Sequence, residues 1–345
     1  MRTALLETLR CPLTGAPLEA HSIKQSDGEI EAGELITADG RRRYPIRDFI
    51  PRFVPSENYA ASFGLQWNRF RRTQLDSVSG QPISRNRFYE FSRWTPDELS
   101  GKRVLDVGCG AGRFAEVALD AGAHVVALDY SAAVDACRSN LAGRGHLDVV
   151  QGDVFSLPFL AGGFDFVYCF GVLQHTPDAK RAFFSLPPQL KPGGRLAFDI
   201  YPWLLRNIVW SKYWIRPITR RLPPTVLFRL VERMAPGMLA ASRTLSAVPG
   251  IGRYLRYIVP VANYKGVYAL TELQLREWAV LDTFDMLAPI HDHPQRRSTL
   301  ESWLADAALV DCVVERRGFL VARGRRPCGP PANAADQSEE KNLTR

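Results

Sequence analysis

No apolar run in this chain approaches the roughly 18 residues that a membrane-spanning helix needs. Its start lacks the long apolar core of a secretory signal, because Glu7 interrupts Ala4-Leu5-Leu6, so no signal peptide is expected. Cysteine is sparse and unpaired in spacing: Cys11, Cys109, Cys137, Cys169, Cys312 and Cys328 are scattered singly. That pattern argues against a disulfide framework and for a reducing compartment. Acidic residues are almost missing from one stretch. Residues 201–260 hold ten Lys/Arg and a single acid, Glu232, whereas the rest of the chain has 34 basic against 35 acidic residues. The net charge of +8 therefore belongs to one segment. Otherwise, 46% hydrophobic and 23% charged residues fit a soluble globular protein, and 345 residues suffice for a large core and more than one domain.

What is present centres on Val104-Leu-Asp-Val-Gly-Cys-Gly-Ala-Gly-Arg-Phe114. Val104, Leu105 and Val107 form the short apolar run of a parallel strand covered on both faces. Gly108, Gly110 and Gly112 predict a tight turn into a helix, with backbone N–H groups exposed at the helix N-terminus for an anionic group. A dinucleotide site asks for G-x-G-x-x-G. Here the spacing is G-x-G-x-G, with Asp106 two positions before the first glycine. This layout suits a nucleoside bearing an amino-acid tail better than a pyrophosphate. Further apolar runs follow at His124–Leu128 (ending in Asp129), Asp148–Val150 (leading to Gly152-Asp153-Val154), Phe164–Phe170 and, after a Pro-Gly-Gly turn, up to Phe198. Five strands alternating with helical segments over 103–200 predict an α/β, doubly wound parallel sheet with ligands at the strands' carboxyl ends.

Together these motifs resemble class I S-adenosylmethionine (AdoMet) methyltransferases, in particular the type 11, quinone-biosynthesis-like group. The resemblance implies AdoMet as cofactor. It also implies a mostly parallel, seven-stranded Rossmann-like sheet with an antiparallel last strand, completed here by a hairpin at Asp311–Glu315 and Gly318–Arg323. The implied cofactor site comprises Asp106, Gly108, Gly110, Gly112, Asp129, Asp153, Val154 and Phe170. In it Asp129 accepts both ribose hydroxyls and Asp153 accepts from the adenine amino group. Turn and cap roles are the alternatives for these two carboxylates.

Six segments are expected. Residues 1–55 resemble a zinc-ribbon-type module that has lost its ligands, since Cys11 faces Thr14 and the next cysteine is Cys109; no metal is expected there. Residues 56–100 carry Tyr59, Phe63, Trp67 and Phe70 at helical spacing, which fits either a core-packed helix or a lid over the cofactor. Residues 101–200 are the cofactor core, 201–298 a helical basic cap and 299–324 the end of the sheet. Residues 325–345 read as a disordered tail. In the cap, Arg206, Lys212, Arg216 and Arg220 fall on one arc of a helix, with Leu204, Ile208, Trp214, Ile215 and Ile218 largely opposite. Such a helix is either a cap with a solvated basic face or an interfacial helix on an anionic membrane.

The candidate base is His175, which follows the fourth strand. His291 and Asp292 form a second candidate, near Asp282 and Asp285. A metal at His291 and His293 lacks a third ligand. The chain has none of the Asn/Asp-Pro-Pro-aromatic run of amino-methylating DNA enzymes, and Cys169 reads as core rather than nucleophile. A small-molecule, lipid or glycan acceptor is left, with O-methylation favoured and a cytoplasmic place, peripheral at the inner membrane face if the cap binds lipid. The alternatives are an RNA methyltransferase and a non-catalytic AdoMet-binding module.

Overall fold

The computed structural model describes residues 1–55, 58–204, 210–255 and 258–329. The expected tail beyond 329, together with Arg206 and Ile208, lies outside the described residues. Leu18–Ser26 (β1), Glu29–Thr37 (β2), Arg43–Arg47 (β3) and Ile50–Pro51 (β4) form an antiparallel four-stranded meander in chain order. The main sheet is built from Arg103–Val107 (β5), His124–Asp129 (β6), His146–Gln151 (β7), Phe164–Cys169 (β8), Leu190–Ile200 (β9), Val310–Arg317 (β10) and Phe319–Arg325 (β11). Its order is β10-β11-β9-β8-β5-β6-β7. β5 to β9 run parallel, and β11 is antiparallel to both of its neighbours. This is the expected Rossmann-like, doubly wound seven-stranded sheet. The strand order reverses between β5 and β8, where parallel sheets open a crevice at their carboxyl ends.

Burial follows the sequence. The apolar side chains of β5, β6 and β8 are almost completely enclosed, because helices cover both faces. Phe88, Phe91 and Trp94, from the aromatic-rich segment, belong to one face of this core. The meander packs on the other. Met1, Leu5, Leu9, Cys11, Leu35 and Ile46 share a cluster with Leu105, Val126 and Val150. It also continues the sheet past β7: Arg52 bridges Gln151 in parallel, and the Phe53 amide donates to the Gln151 carbonyl at 2.8 Å. Arg2 clamps Asp148 at 2.7 Å and Arg138 holds Glu29 at 2.6 Å. In place of a metal ligand's partner, Cys11 has the Tyr44 hydroxyl 3.1 Å away in the buried interior.

The insert between β9 and the last hairpin is helical, with segments Ser211–Thr219, Pro224–Ser246 and Glu272–Leu287 among the described residues. Its core joins Leu227, Phe228 and Val231 to Val280, Phe284 and Leu287. The orientation of the first helix overturns the expected solvated basic face. Lys212 and Arg216 point inward and are buried, whereas Trp214 and Ile218 are 67% and 68% exposed. The physical reason is Asp292, a buried carboxylate that pairs with Arg216 and lies 3.8 Å from Lys212. A buried charge must be paired, and this one draws both cations under the helix. No described helix is long and apolar enough to cross a membrane.

Candidate active site

The glycine loop runs from the end of β5 into the helix Arg113–Asp120. Gly108, Gly110 and Gly112 have φ of 85°, 53° and 92°, the left-handed region that glycine tolerates best. Space is as restrictive as conformation. A Cβ on Gly108 would meet Val172 at 2.2 Å, and one on Gly112 would meet Leu141 at 2.7 Å. The expected free N–H groups are absent from most of this loop. The amides of Gly108 and Cys109 both donate to the Leu128 carbonyl, at 2.7 and 3.0 Å. That of Gly112 donates to the Cys109 carbonyl, and that of Gly110 to Asp129 Oδ2 at 2.9 Å. The loop is tied to β6, so an anionic tail must find its donors elsewhere.

Asp129 ends β6 and holds this junction together. Its second oxygen accepts from the Ser131 amide and hydroxyl at 2.8 and 2.7 Å. Burial raises its pKa against these donors. Asp106 lies beneath the cavity floor, with Oδ2 lacking a partner among the described residues. Burial pushes its carboxyl up to about 8, opposed by the neighbouring Tyr168 hydroxyl. Such a group binds a proton in the folded chain that the unfolded chain releases near pH 4. Stability should therefore fall as pH rises from about 4 to 8. We expect Asp106→Asn to remove part of this slope, checked as melting temperature against pH without added cofactor; an unchanged slope would refute it.

One cavity of about 460 Å³ joins the carboxyl ends of β5, β6 and β8 to the insert. Of the expected cofactor residues, Gly108, Gly110, Asp129, Val154 and Phe170 line it. Asp106, Gly112 and Asp153 do not. Asp153 caps the short helical turn Val154–Ser156, accepting from the Phe155 amide at 2.9 Å. The helix Ala61–Arg69 supplies Phe63, Gln66 and Trp67 to the cavity wall, and the Trp67 indole stands against Gly110. Tyr59 stacks on Tyr130 beside it, ring centroids 4.8 Å apart. The aromatic segment is thus divided: 59–67 covers the cofactor loop, and 88–94 fills the core.

Sequence spacing gave no hint of two arginines in this wall. Arg87 pairs with buried Asp199 at 2.7 Å, and its Nε has no partner among the described residues. Arg113 donates to Gln74 at 2.5 Å, and burial lowers its pKa to about 10. These half-buried guanidinium groups line the cavity and are a substitute for the donors that the glycine loop withholds.

His175 lines the cavity between Phe63 and Tyr201, ring centroids 5.4 Å from each. Its Nδ1 lies 3.1 Å from the His291 carbonyl oxygen, which can only accept, so the proton sits on Nδ1 and Nε2 is left basic. Nε2 has no partner among the described residues. Burial lowers the pKa to about 4, keeping the ring neutral near pH 7. His291 and Asp292 do not line the cavity. His291 acts through its backbone, and Asp292 is committed to Arg216 and Lys212. Their neighbours Asp282 and Asp285 do face the cavity, each pushed up to about 6 by burial. Asp282 accepts from the Tyr264 hydroxyl and from Gln74 at 3.2 Å. No group of three His, Cys, Asp or Glu able to hold a metal occurs among the described residues. Cys169 is buried in β8, away from the cavity lining.

Sheet and glycine loop together define a Rossmann-like core with a ligand cavity at the strands' carboxyl ends. Residues 105–198 match the family described as methyltransferase domain, and residues 2–48 match the family described as Trm112p-like protein. The chain is similar to sterol 24-C-methyltransferase ERG6B of Gibberella zeae, 36% identical over 115 residues (31% of this chain, 29% of that protein). It is also similar to the ubiquinone biosynthesis O-methyltransferase of Erwinia tasmaniensis, 35% identical over 130 residues (35% of this chain, 53% of that protein). The match thus spans less than two thirds of these relatives' own length. Among solved structures, magnesium protoporphyrin IX methyltransferase from Synechocystis aligns with a TM-score of 0.43 and 16% identity, covering 78% of this chain and 96% of that one.

Proposed function

We propose that this chain is an AdoMet-dependent methyltransferase acting on a small-molecule, lipid or glycan acceptor, with an oxygen as the methylated atom. The observation that carries the reading is the single cavity in which the glycine loop and Asp129 stand at one end and His175, Asp282 and Asp285 at the other. AdoMet supplies an electrophilic methyl group, so the protein's contribution is mainly placement. Asp129 accepts the ribose hydroxyls, Gly152 and Val154 flank the base, and Arg87 and Arg113 receive the carboxylate tail. Asp153, outside the cavity lining, caps the turn that carries Val154 and so positions that residue beside the base. Trp67 and Phe63 exclude water above the loop. Holding acceptor and donor in line in a near-attack arrangement supplies roughly 7–11 kcal/mol. His175 Nε2 takes the hydroxyl proton, a step worth about 10²–10⁴-fold. His291 keeps that nitrogen unprotonated through Nδ1.

An acceptor screen with methyl-labelled AdoMet tests the reading; no transfer across small molecules, lipids, glycans and RNA would leave only a binding module. With an acceptor in hand, His175→Ala should lower kcat by about 10²–10⁴-fold with AdoMet affinity retained. The His175 contribution should be flat near neutrality and decline as pH falls through about 4, where the ring takes a proton. A kcat unaffected by the substitution would remove His175 as base.

A further inference from the structure

The inverted helix of the insert turns large apolar side chains outward. Thirteen of the nineteen exposed large apolar side chains among the described residues lie between Trp203 and Ile290, in about a quarter of the chain. Trp214 and Ile218 are one helical turn apart and therefore share a face. Val226, Leu230 and Met234 repeat every four residues along Pro224–Ser246, each 44–48% exposed, beside the packed stripe of Leu227, Phe228, Val231 and Ala235. Both helices rest on Glu272–Leu287, Ile215 and Leu227 joining the same core as Phe284. Exposed Arg220 and Arg221 lie in the short link between them, and exposed Arg229 and Arg233 flank the apolar stripe.

We propose that this face docks on an anionic phospholipid bilayer, with Trp214, Ile218, Val226, Leu230 and Met234 entering the headgroup region and Arg220, Arg221, Arg229 and Arg233 meeting the phosphates. Charge complementarity selects this occupant. Arg220, Arg221, Arg229 and Arg233 are exposed there against one exposed acid, Glu232, while Lys212 and Arg216 are withdrawn to Asp292. What faces outward is a mixture of large apolar side chains and arginines, the composition that binds an interface through apolar insertion plus headgroup attraction. A bare RNA site would present arginines without an apolar ridge as large as this one. The surface is independent of methyl transfer and stands or falls separately from it.

The test is co-flotation of the full chain with vesicles of phosphatidylglycerol and phosphatidylcholine, compared with phosphatidylcholine alone. Binding is expected to the mixed vesicles only and to weaken with salt. Arg229→Glu with Arg233→Glu should weaken it by about thirty-fold or more, from roughly a factor of five for each cation lost. Trp214→Ser with Ile218→Ser should also release the protein, whereas Arg41→Glu with Arg47→Glu, on the N-terminal meander, should not. AdoMet calorimetry on each variant separates a surface effect from misfolding, since cofactor binding should be unchanged. No flotation, equal loss with the meander variant, or binding to transfer RNA in place of vesicles would each overturn the proposal.

Discussion

A chain lacking residues 1–55 is expected to fail to fold. Met1, Leu5, Leu9, Cys11, Leu35 and Ile46 are all buried in one cluster with the underside of the main sheet. What remains is uncovered: at about 1.5–3 kcal/mol for each large side chain brought fully into water, exposing Leu105, Val126 and Val150 of the sheet would remove much of the 5–15 kcal/mol that holds a typical domain together. Two further losses accompany it. β7 becomes an open edge once Arg52 and Phe53 no longer pair with Gln151, and a bare strand edge invites association between copies. Asp148 loses its clamp from Arg2, leaving a buried carboxylate unpaired. Soluble yield, size-exclusion profile and thermal melting check this. A monomeric product with a sharp transition near that of the full chain would show that the meander is a separable unit.

Asp129→Ala is expected to weaken AdoMet binding by about 10²–10⁴-fold. Two charged hydrogen bonds to adjacent ribose hydroxyls are worth about 1.5–3 kcal/mol each. The same carboxylate also ties Gly110 and Ser131, so its removal frees the loop that must be still when the cofactor arrives. Calorimetry with AdoMet and its demethylated product measures the first effect, and melting temperature the second. Asp129→Asn, which keeps an acceptor oxygen and the side-chain volume, should fall between wild type and alanine. Unchanged affinity in the alanine variant would mean that Asp129 is a turn residue alone and that the sugar lies elsewhere.

The sheet was legible because a parallel strand covered on both sides must be apolar and short, and Val104–Val107, His124–Leu128 and Phe164–Cys169 are. The glycine spacing was legible for a steric reason, visible in the contact of Gly108 with Val172. The fate of the loop's amides was not, since their acceptor is the Leu128 carbonyl on the neighbouring strand. The helix at 211–219 was misread for a similar reason. A helical wheel separates cations from apolar side chains but does not say which side faces inward. That was decided by Asp292, 76 residues after Arg216. Arg87 escaped notice because its partner, Asp199, comes from β9, 112 residues later. His291 and Asp292 drew attention as titratable groups, whereas the carbonyl of one and the ion pairs of the other are what the fold uses.

The cavity has two makers. One wall comes from the sheet loops and the helix at 61–69, most of the far wall from Tyr201 to Met286, with Gln74, Arg87, Gly318 and Phe319 completing it, and the two meet where the His291 carbonyl holds His175. Because most of the second wall is drawn from one insert, that insert can diverge while the sheet end of the cavity stays constant. On such a scaffold, lineages would acquire new acceptors by exchanging the roof and keeping the floor.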